Sequence, residues 1–75
     1  MKELLEFIAK SLVDDKDAVT VTESETETTI TLELRVSEGD MGKVIGKQGR
    51  IAKAIRTVIR SASAKTGKKV IVDII

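Results

Sequence analysis

The residues best suited to chemistry form one short stretch, Val44-Ile45-Gly46-Lys47-Gln48-Gly49-Arg50. Two glycines three residues apart enclose Lys47 and Gln48, at the junction of two predicted helices. Because glycine lacks a Cβ, the backbone here can adopt unusual dihedral angles and approach another chain closely. A helix starting at Arg50 would present unpaired amide groups and the positive end of its dipole, beside two cationic side chains. This arrangement predicts a site for the sugar-phosphate backbone of a nucleic acid.

The composition argues against most other chemistry. The chain has no Cys and no His, which excludes disulfides, thiolate chemistry and most zinc sites. The carboxylates of Glu23, Glu25 and Glu27 would share one solvated face of a strand, without a pocket or a partner base. We therefore expect no enzymatic activity, no metal and no cofactor.

Charge is distributed unevenly along the chain. Residues 1–40 contain eleven acids and four Lys or Arg, whereas residues 41–69 contain nine Lys or Arg and no acid. An asymmetry of this kind indicates that one half faces a polyanion and the other is solvated. It supports the nucleic-acid interpretation of the glycine-containing stretch.

Length and hydropathy predict one small domain, residues 1–75. No apolar run is long enough to span a membrane. The N-terminus also lacks the apolar run and the cleavage site of a signal peptide. We therefore expect a cytoplasmic protein.

Hydrophobic periodicity predicts the elements that hold the glycines in place. A helix is expected from Lys2 to about Val13, and two half-buried antiparallel strands within Ala18–Val36, with a turn near Ser24–Glu27. A short helix ending at Gly46 would take Ser37 or Asp40 as its N-cap.

A longer helix is expected from about Arg50 to Lys65, stopped by Thr66-Gly67. The final strand, Val70–Ile75, is apolar on both faces and is predicted to be well covered. The order α-β-β-α-α-β predicts an α+β fold in which the last strand lies parallel to a hairpin strand after a right-handed crossover. A three-stranded mixed sheet with helices packed on one face satisfies this order.

These residues resemble a known family. The glycine stretch, the helix after it and Thr66-Gly67-Lys68-Lys69-Val70 resemble the core of a KH domain, and the element order resembles the type II arrangement. Asp40-Met41-Gly42-Lys43 leading into the glycines resembles the KhpA family of stand-alone bacterial KH proteins. A P-loop fits the stretch from Gly42 to Gln48 less well, because three residues separate Gly42 from Gly46 where a P-loop has four, and Gln48 replaces the Ser or Thr that holds magnesium.

The resemblance implies binding of about four nucleotides of single-stranded RNA, with the GxxG loop on the backbone. Gly46, Lys47, Gln48 and Gly49 would contact phosphates and sugars, with cations nearby as electrostatic guides. Aliphatic residues would form a floor under the bases, since the chain has no aromatic platform there. The RNA-binding residues implied in this way are Lys43, Ile45, Gly46, Lys47, Gln48, Gly49, Arg50, Ala52, Lys53 and Ile71. Many KH domains have a branched aliphatic residue at the position of Ala52, so the groove is expected to be shallow and permissive there.

Family resemblance also implies partners and a cellular role. KhpA-like proteins are taken to be RNA chaperones or post-transcriptional regulators that pair with themselves or with a larger, multidomain KhpB-type KH protein. They are linked to cell-wall growth and cell length. Two alternatives stay open: single-stranded DNA as the ligand, or an interaction module that mainly dimerises and has little RNA affinity.

The second long helix gives its own reason to expect a dimer. Its apolar residues span an arc of about 160°, more than one sheet face covers. They are Ile51, Ala52, Ala54, Ile55, Val58 and Ile59. Ile59 is predicted to lie at the uncovered edge, unless the first helix covers the remaining arc.

Overall fold

The helices and strands follow one another in the predicted order. The computed structural model describes all residues from 1 to 75. Its helices are α1 (Lys2–Leu12), α2 (Met41–Ile45) and α3 (Arg50–Ala62), and its strands are β1 (Thr20–Glu25), β2 (Thr29–Arg35) and β3 (Lys69–Ile74). The α-β-β-α-α-β order and the α+β class are thus confirmed.

The three strands form one mixed sheet in the order β1-β2-β3. β1 and β2 are antiparallel, with Val21 opposite Leu34, and β2 and β3 are parallel, with Ile30 opposite Val70. The parallel return of the last strand is therefore confirmed. β2 is the central strand, and β1 and β3 are both edge strands.

The core lies on one face of this sheet. Alternate residues of β2 (Ile30, Leu32 and Leu34) are buried together with Val70 and Val72 of β3. Helices cover the same face, because residues of all three helices belong to the same hydrophobic cluster: Leu5 and Ala9, Val44, and Ile55 and Ile59. Burying a side chain of this size contributes about 1.5–3 kcal/mol, so this layer supplies most of the driving force for folding.

The prediction that β3 is covered on both faces is wrong. Val70 and Val72 are buried, but Ile71 and Ile74 are only half-buried and Ile75 is exposed. β3 is an edge strand, and its second face belongs to the side of the sheet without helices. Apolar residues on both faces of a strand therefore do not guarantee cover when the strand is short and peripheral.

The hairpin turn depends on Thr26 rather than on glycine. Its hydroxyl accepts hydrogen bonds from the amides of Thr28 and Thr29, at 3.3 and 3.0 Å, and its own amide donates to the Thr29 carbonyl at 2.7 Å. A Ser or Thr hydroxyl that bonds the backbone two or three residues later stabilises a turn. This explains why the sequence shows no Gly or Asn signal at the turn.

α3 ends at Ala62, three residues before the predicted end. The hydroxyl of Ser63 donates to the carbonyls of Ile59 and Arg60, at 2.8 and 3.1 Å, and so satisfies acceptors at the helix terminus. A 3-10 turn, Ala64–Thr66, follows and leads to Gly67 at φ +71°. The predicted stop at Thr66-Gly67 is present, but serine ends the α-helix first.

The prediction that Ile59 lies at an uncovered edge is also wrong. Its exposure is 0%, whereas Val58, one residue earlier, is 47% exposed. The sheet and α1 together cover more of the arc of α3 than one sheet face alone would. The exposed edge is displaced by one residue, about 100° around the helix.

Candidate nucleic-acid interface

The loop between α2 and α3 requires glycine at its first position for two reasons. Gly46 has φ +76° and ψ 176°, a region that is essentially restricted to glycine. A Cβ added at this position would also lie only 2.5 Å from Cγ1 of Ile51. The chain therefore passes directly over the Ile51 side chain as it leaves α2.

Gln48 and Gly49 give the loop a tight turn, and the side chains of the loop point into solvent. Gln48 has φ 58° and ψ 25°, and Gly49 has φ +74° and ψ 14°, so two successive residues are left-handed. Glutamine is uncommon in this conformation. The side chains of Lys47 and Gln48 are both exposed, as the site prediction requires.

The loop uses some of the amides that the sequence suggested would be free. The N–H of Gly49 donates to the Gly46 carbonyl at 3.2 Å, and that of Arg50 donates to the Lys47 carbonyl. The expectation that α3 opens with wholly unpaired amides is therefore wrong at these two positions. These two amides are therefore not available to a phosphate.

Three cations surround the loop without any compensating charge. Lys47, Arg50 and Lys53 are exposed, and none of them forms an ion pair. The first turn of α3 contains no acid. Arg50 and Lys53 stand three residues apart and so point to neighbouring directions on the helix. The structure brings these predicted residues together at one end of α3.

Lys43, another predicted contact, lies in a different environment. Its ammonium group pairs with the carboxylate of Asp14 and lies 3.3 Å from that of Asp40. The hydrogen bond with Asp14 and the nearby negative charges raise the pKa of Lys43 above its usual value. Its positive charge is therefore held and compensated at the start of α2, away from the free cations of the loop.

Asp40 organises the other end of α2. Its buried carboxylate accepts hydrogen bonds from the amides of Asp15 and Asp14, at 3.0 and 3.3 Å, and from the Ser37 hydroxyl at 2.9 Å. Donation by the Asp15 amide, aided by these other donors and Lys43, lowers the pKa of Asp40 to about 2, while burial opposes the shift. No local sequence pattern indicates this cluster, because Asp14 and Asp40 are 26 residues apart.

Neither candidate N-cap acts as one with its side chain. Asp40 precedes α2 directly, but its carboxylate makes no bond to the helix amides, and Ser37 caps nothing. The carboxylate bonds instead to the loop after α1, 25 and 26 residues earlier in the chain. A tertiary contact has replaced the local one that the sequence pattern favours.

The apolar site residues are placed separately. Ile45 is 37% exposed beside the loop, whereas Ala52 is 5% exposed and belongs to the interior. Ile71 alternates with the buried Val70 and Val72, so it lies on the sheet face opposite the helices. Ala52 is therefore not an accessible contact, whereas Ile45 is exposed beside the loop and Ile71 is half-buried on the other face of the sheet.

Arg56 is a residue of this surface that sequence reasoning missed. Its Nε donates to the carbonyl of Val72 at 3.2 Å, which joins the flank of α3 to β3. The amides of Lys69 and Ile75 donate to the carbonyls of Thr28, just before β2, and Leu34 of β2. By the alternation of a parallel strand, the Val72 carbonyl therefore points to the free edge. The signal in the sequence was the spacing from Lys53, three residues before Arg56.

Two further features bear on function. No group of three or more acidic, His or Cys side chains converges as a metal-binding cluster would require. None of the three helices has both the length and the apolar character needed to cross a bilayer.

Comparisons with known proteins agree with this geometry. A family model described as "KhpA/KhpB, KH domain" matches residues 2–74. "RNA-binding protein KhpA" of Clostridium perfringens is 65% identical over 75 residues, which cover 100% of each chain. The protein of the same name from Borreliella burgdorferi is 52% identical over 73 residues, 97% of this chain and 89% of that protein.

A solved structure has the same fold in a larger protein. It is the crystal structure of Era in complex with MgGDPNP and nucleotides 1506–1542 of 16S ribosomal RNA, with a TM-score of 0.70 and 21% identity. The match covers 97% of this chain but only 28% of that one, so it bears on the fold alone. Given the family model and the relatives matched along their length, this chain belongs to the KhpA/KhpB family of KH-domain proteins and has the type II arrangement of that fold.

Proposed function

We propose that residues 1–75 act as one KH unit that binds single-stranded RNA through the loop from Gly46 to Gly49. The observation that carries the proposal is the exposed pair Lys47 and Gln48, raised by two glycines at positive φ beside uncompensated cations. The names of the relatives, "RNA-binding protein KhpA", support RNA as the ligand.

Backbone contacts dominate the proposed mode of binding. Lys47, Arg50 and Lys53 neutralise phosphates, and the glycine loop lies against the sugar-phosphate chain. The only aromatic residue, Phe7, lies on α1, so bases meet aliphatic side chains such as Ile45. This predicts weak base selectivity, and single-stranded DNA is the competing ligand because it has the same phosphate groups for these cations to contact.

The test is the double variant Lys47→Asp with Gln48→Asp. Each lost charged contact is worth about 1–3 kcal/mol, so RNA affinity should fall about tenfold or more. The melting temperature should stay nearly constant, since both side chains are exposed.

The matched control is Lys2→Asp with Ser11→Asp, which changes the net charge equally at exposed positions of α1. If the two double variants lose affinity equally, the loop has no special role. If the loop variant is folded and binds RNA as well as the unmodified protein, the proposed site is wrong. Binding to matched RNA and DNA strands separates the two ligands.

We also propose that the working form is a homodimer. Its support is the exposed apolar surface on two helices of the same layer: Phe7 of α1 is 70% exposed and Val58 of α3 is 47% exposed. Association allows a small domain to bury more apolar surface than it can bury alone. Two RNA sites on one body would also raise apparent affinity through effective concentration.

Sedimentation at low micromolar concentration tests the dimer. Val58→Asp should shift the protein to monomer mass, whereas Thr57→Asp, exposed on another side of α3, should not. A monomer at all concentrations would exclude self-association. The alternative function, an interaction module with little RNA affinity, requires that the Val58 variant be defective in cells while the loop variant is not.

The cellular role that family membership supports is post-transcriptional regulation or RNA chaperoning, alone or with a larger KhpB-type KH protein, and with a link to cell-wall growth and cell length. Crosslinking in cells and sequencing of the recovered RNA tests the first part. Cell length in a strain that carries only the loop variant tests the second. Recovery of the larger protein with the Thr57 variant but not with the Val58 variant would support a shared interface.

A further inference from the structure

A basic cavity lies at the opposite end of α3 from the glycine loop. Its volume is about 280 Å³. Three cations and three small or apolar residues line it: Arg60, Lys68, Lys69, Ser63, Ala64 and Val70. No acid is part of the lining, so the cavity is suited to an anion.

Hydrogen bonds at the C-terminus of α3 reduce the repulsion that an anion in the cavity would meet. A helix C-terminus normally repels anions through its free carbonyls. Here the Ser63 hydroxyl donates to the carbonyls of Ile59 and Arg60, and the Ser63 amide also bonds to both. Gly67, at φ +71°, then turns the chain back so that β3 begins beside α3.

The three cations are not equally available. Lys68 pairs with Glu25 and donates to the Thr26 carbonyl at 3.0 Å, so it is tied to the β1–β2 hairpin. Arg60 and Lys69 are exposed and form no ion pair. The cavity therefore keeps two uncompensated charges and one that is shared.

A row of cations connects the cavity with the loop. Lys53, Arg56 and Arg60 are spaced three and four residues apart and share one side of α3. Arg56 is fixed there by its bond to the Val72 carbonyl. From Gly49 to Arg60 the helix rises about 16 Å, which about five stacked nucleotides would span at about 3.4 Å each.

We propose that this cavity binds a further phosphate group of the RNA strand held by the glycine loop. The proposal rests on the proposed function and extends the site beyond the four or so nucleotides that one GxxG loop clamps. The guanidinium of Arg60 would hold the phosphate oxygens by charge-assisted hydrogen bonds. Lys69 begins the edge strand β3 on the other face of the sheet, and its long side chain would reach the same phosphate around the free edge. The phosphate is either an internal phosphodiester or the terminal phosphate of the strand.

The experiment compares oligouridylates of four and ten nucleotides. Arg60→Ala with Lys69→Ala should lower the affinity for the ten-nucleotide strand about tenfold and leave that for the four-nucleotide strand within about twofold. The slope of log affinity against log salt for the longer strand should become shallower by about 0.7, the value for one phosphate. Lys68 is left unchanged because it anchors the hairpin.

The control, Lys2→Ala with Lys10→Ala, removes the same charge from α1 and should affect both strands little. An affinity for the longer strand that matches this control overturns the proposal, and so does an equal loss for both strands. In the unmodified protein, backbone amide NMR signals of residues 63–70 should shift with the longer strand only, a readout that does not depend on any variant folding. If the unmodified protein binds neither strand, the proposed function fails and this inference fails with it.

Strands with and without a terminal phosphate show whether the cavity holds an internal phosphodiester or the end of the strand. Ten-nucleotide strands carrying a 5′-phosphate, a 3′-phosphate or none are compared, since a four-nucleotide strand held by the loop does not reach the cavity. If a terminal phosphate raises affinity in the unmodified protein and not in the double variant, the cavity holds a strand end. If the three ten-nucleotide strands bind equally and all depend on Arg60 and Lys69, the cavity holds an internal phosphodiester.

Discussion

Both ends of α2 carry charged residues, but the charges are compensated at its start and uncompensated at its end. At its start, the Asp40 cluster (Ser37, Asp40, Lys43 and the loop Asp14-Asp15) gathers charged groups that satisfy one another. At its end, the glycine loop holds cations with no partner at all. A count of cations therefore does not measure the positive charge available to a ligand. Lys43 and Lys47 are four residues apart, yet only one is free.

The two ends also position α2 by different means. A helix of five residues is too short to be stable alone, so tertiary contacts must hold both of its ends. The Asp40 carboxylate supplies hydrogen bonds at the start, and Gly46 supplies a backbone path that no other residue can follow without strain. The loop can present its side chains only because both ends are held in place.

The largest expected effect is a loss of stability on replacing a glycine of the loop at the end of α2. Gly46→Ala combines backbone strain with a clash against Ile51, so the free energy of unfolding should fall by about 3 kcal/mol. Gly49→Ala meets no atom within 4 Å and carries only the left-handed strain, which should cost about 1–2 kcal/mol. Gly39→Ala, which has neither problem, is the control and should change little. Urea denaturation measures all three. Equal losses for Gly46 and Gly49 would show that Ile51 moves aside.

Breaking the Asp40 cluster should be visible as a change in acid sensitivity. The pKa of Asp40 is lowered to about 2 in the fold. Its stabilising contribution is therefore complete above about pH 4, the ordinary carboxyl pKa, and is lost as the pH falls towards 2. Asp40→Asn should lower the melting temperature at pH 7 and flatten its decline between pH 4 and 2.

The control for that experiment is Asp73→Asn, since Asp73 is exposed on β3 and has no cationic partner. It should leave both the melting temperature and its pH dependence close to those of the unmodified protein. Curves for the Asp40 variant that run parallel to the unmodified protein from pH 7 to pH 2 would contradict the role given to this carboxylate.

The salt dependence of RNA binding sharpens the difference in available charge. A four-nucleotide strand meets the three free cations Lys47, Arg50 and Lys53. Each neutralised phosphate contributes about 0.7 to the magnitude of the slope of log affinity against log salt. The slope of log affinity against log salt should therefore be about −2. When the strand also carries a 5′-phosphate as a fourth charge, a slope near −3 would mean that Lys43 reaches the strand too. A slope near zero would mean that base contacts dominate.

The smallest expected effect on binding belongs to Lys43. Lys43→Met should change the affinity for the four-nucleotide strand less than about threefold, because the charge it removes is already compensated within the protein. Lys47→Met removes a free charge and should weaken binding several-fold more. The melting temperature should respond in the opposite order, since Lys43 bridges Asp14 and Asp40. Equal effects of both variants on affinity would remove the distinction between the two ends of α2.

The sequence by itself was enough for the order of elements, the mixed sheet and the position of the glycine loop. Each depends on local signals: the period of apolar residues along β2 and α3, and glycines where the chain must take positive φ. These signals act between residues that are close in the chain, so they can be read without knowing what packs against what. The exposed Lys47 and Gln48 follow from the same local geometry.

Which residues are free depends on contacts between parts of the chain that are distant in sequence. The pairing of Lys43 joins positions 29 residues apart, and the bond from Arg56 to Val72 joins positions 16 apart. The cover of Ile59, the exposure of Val58 and the open face around Ile71 depend on which strands lie at the edges and where α1 packs. Burial and charge compensation are set by neighbours in space, and a single sequence does not specify those neighbours at the level of individual side chains.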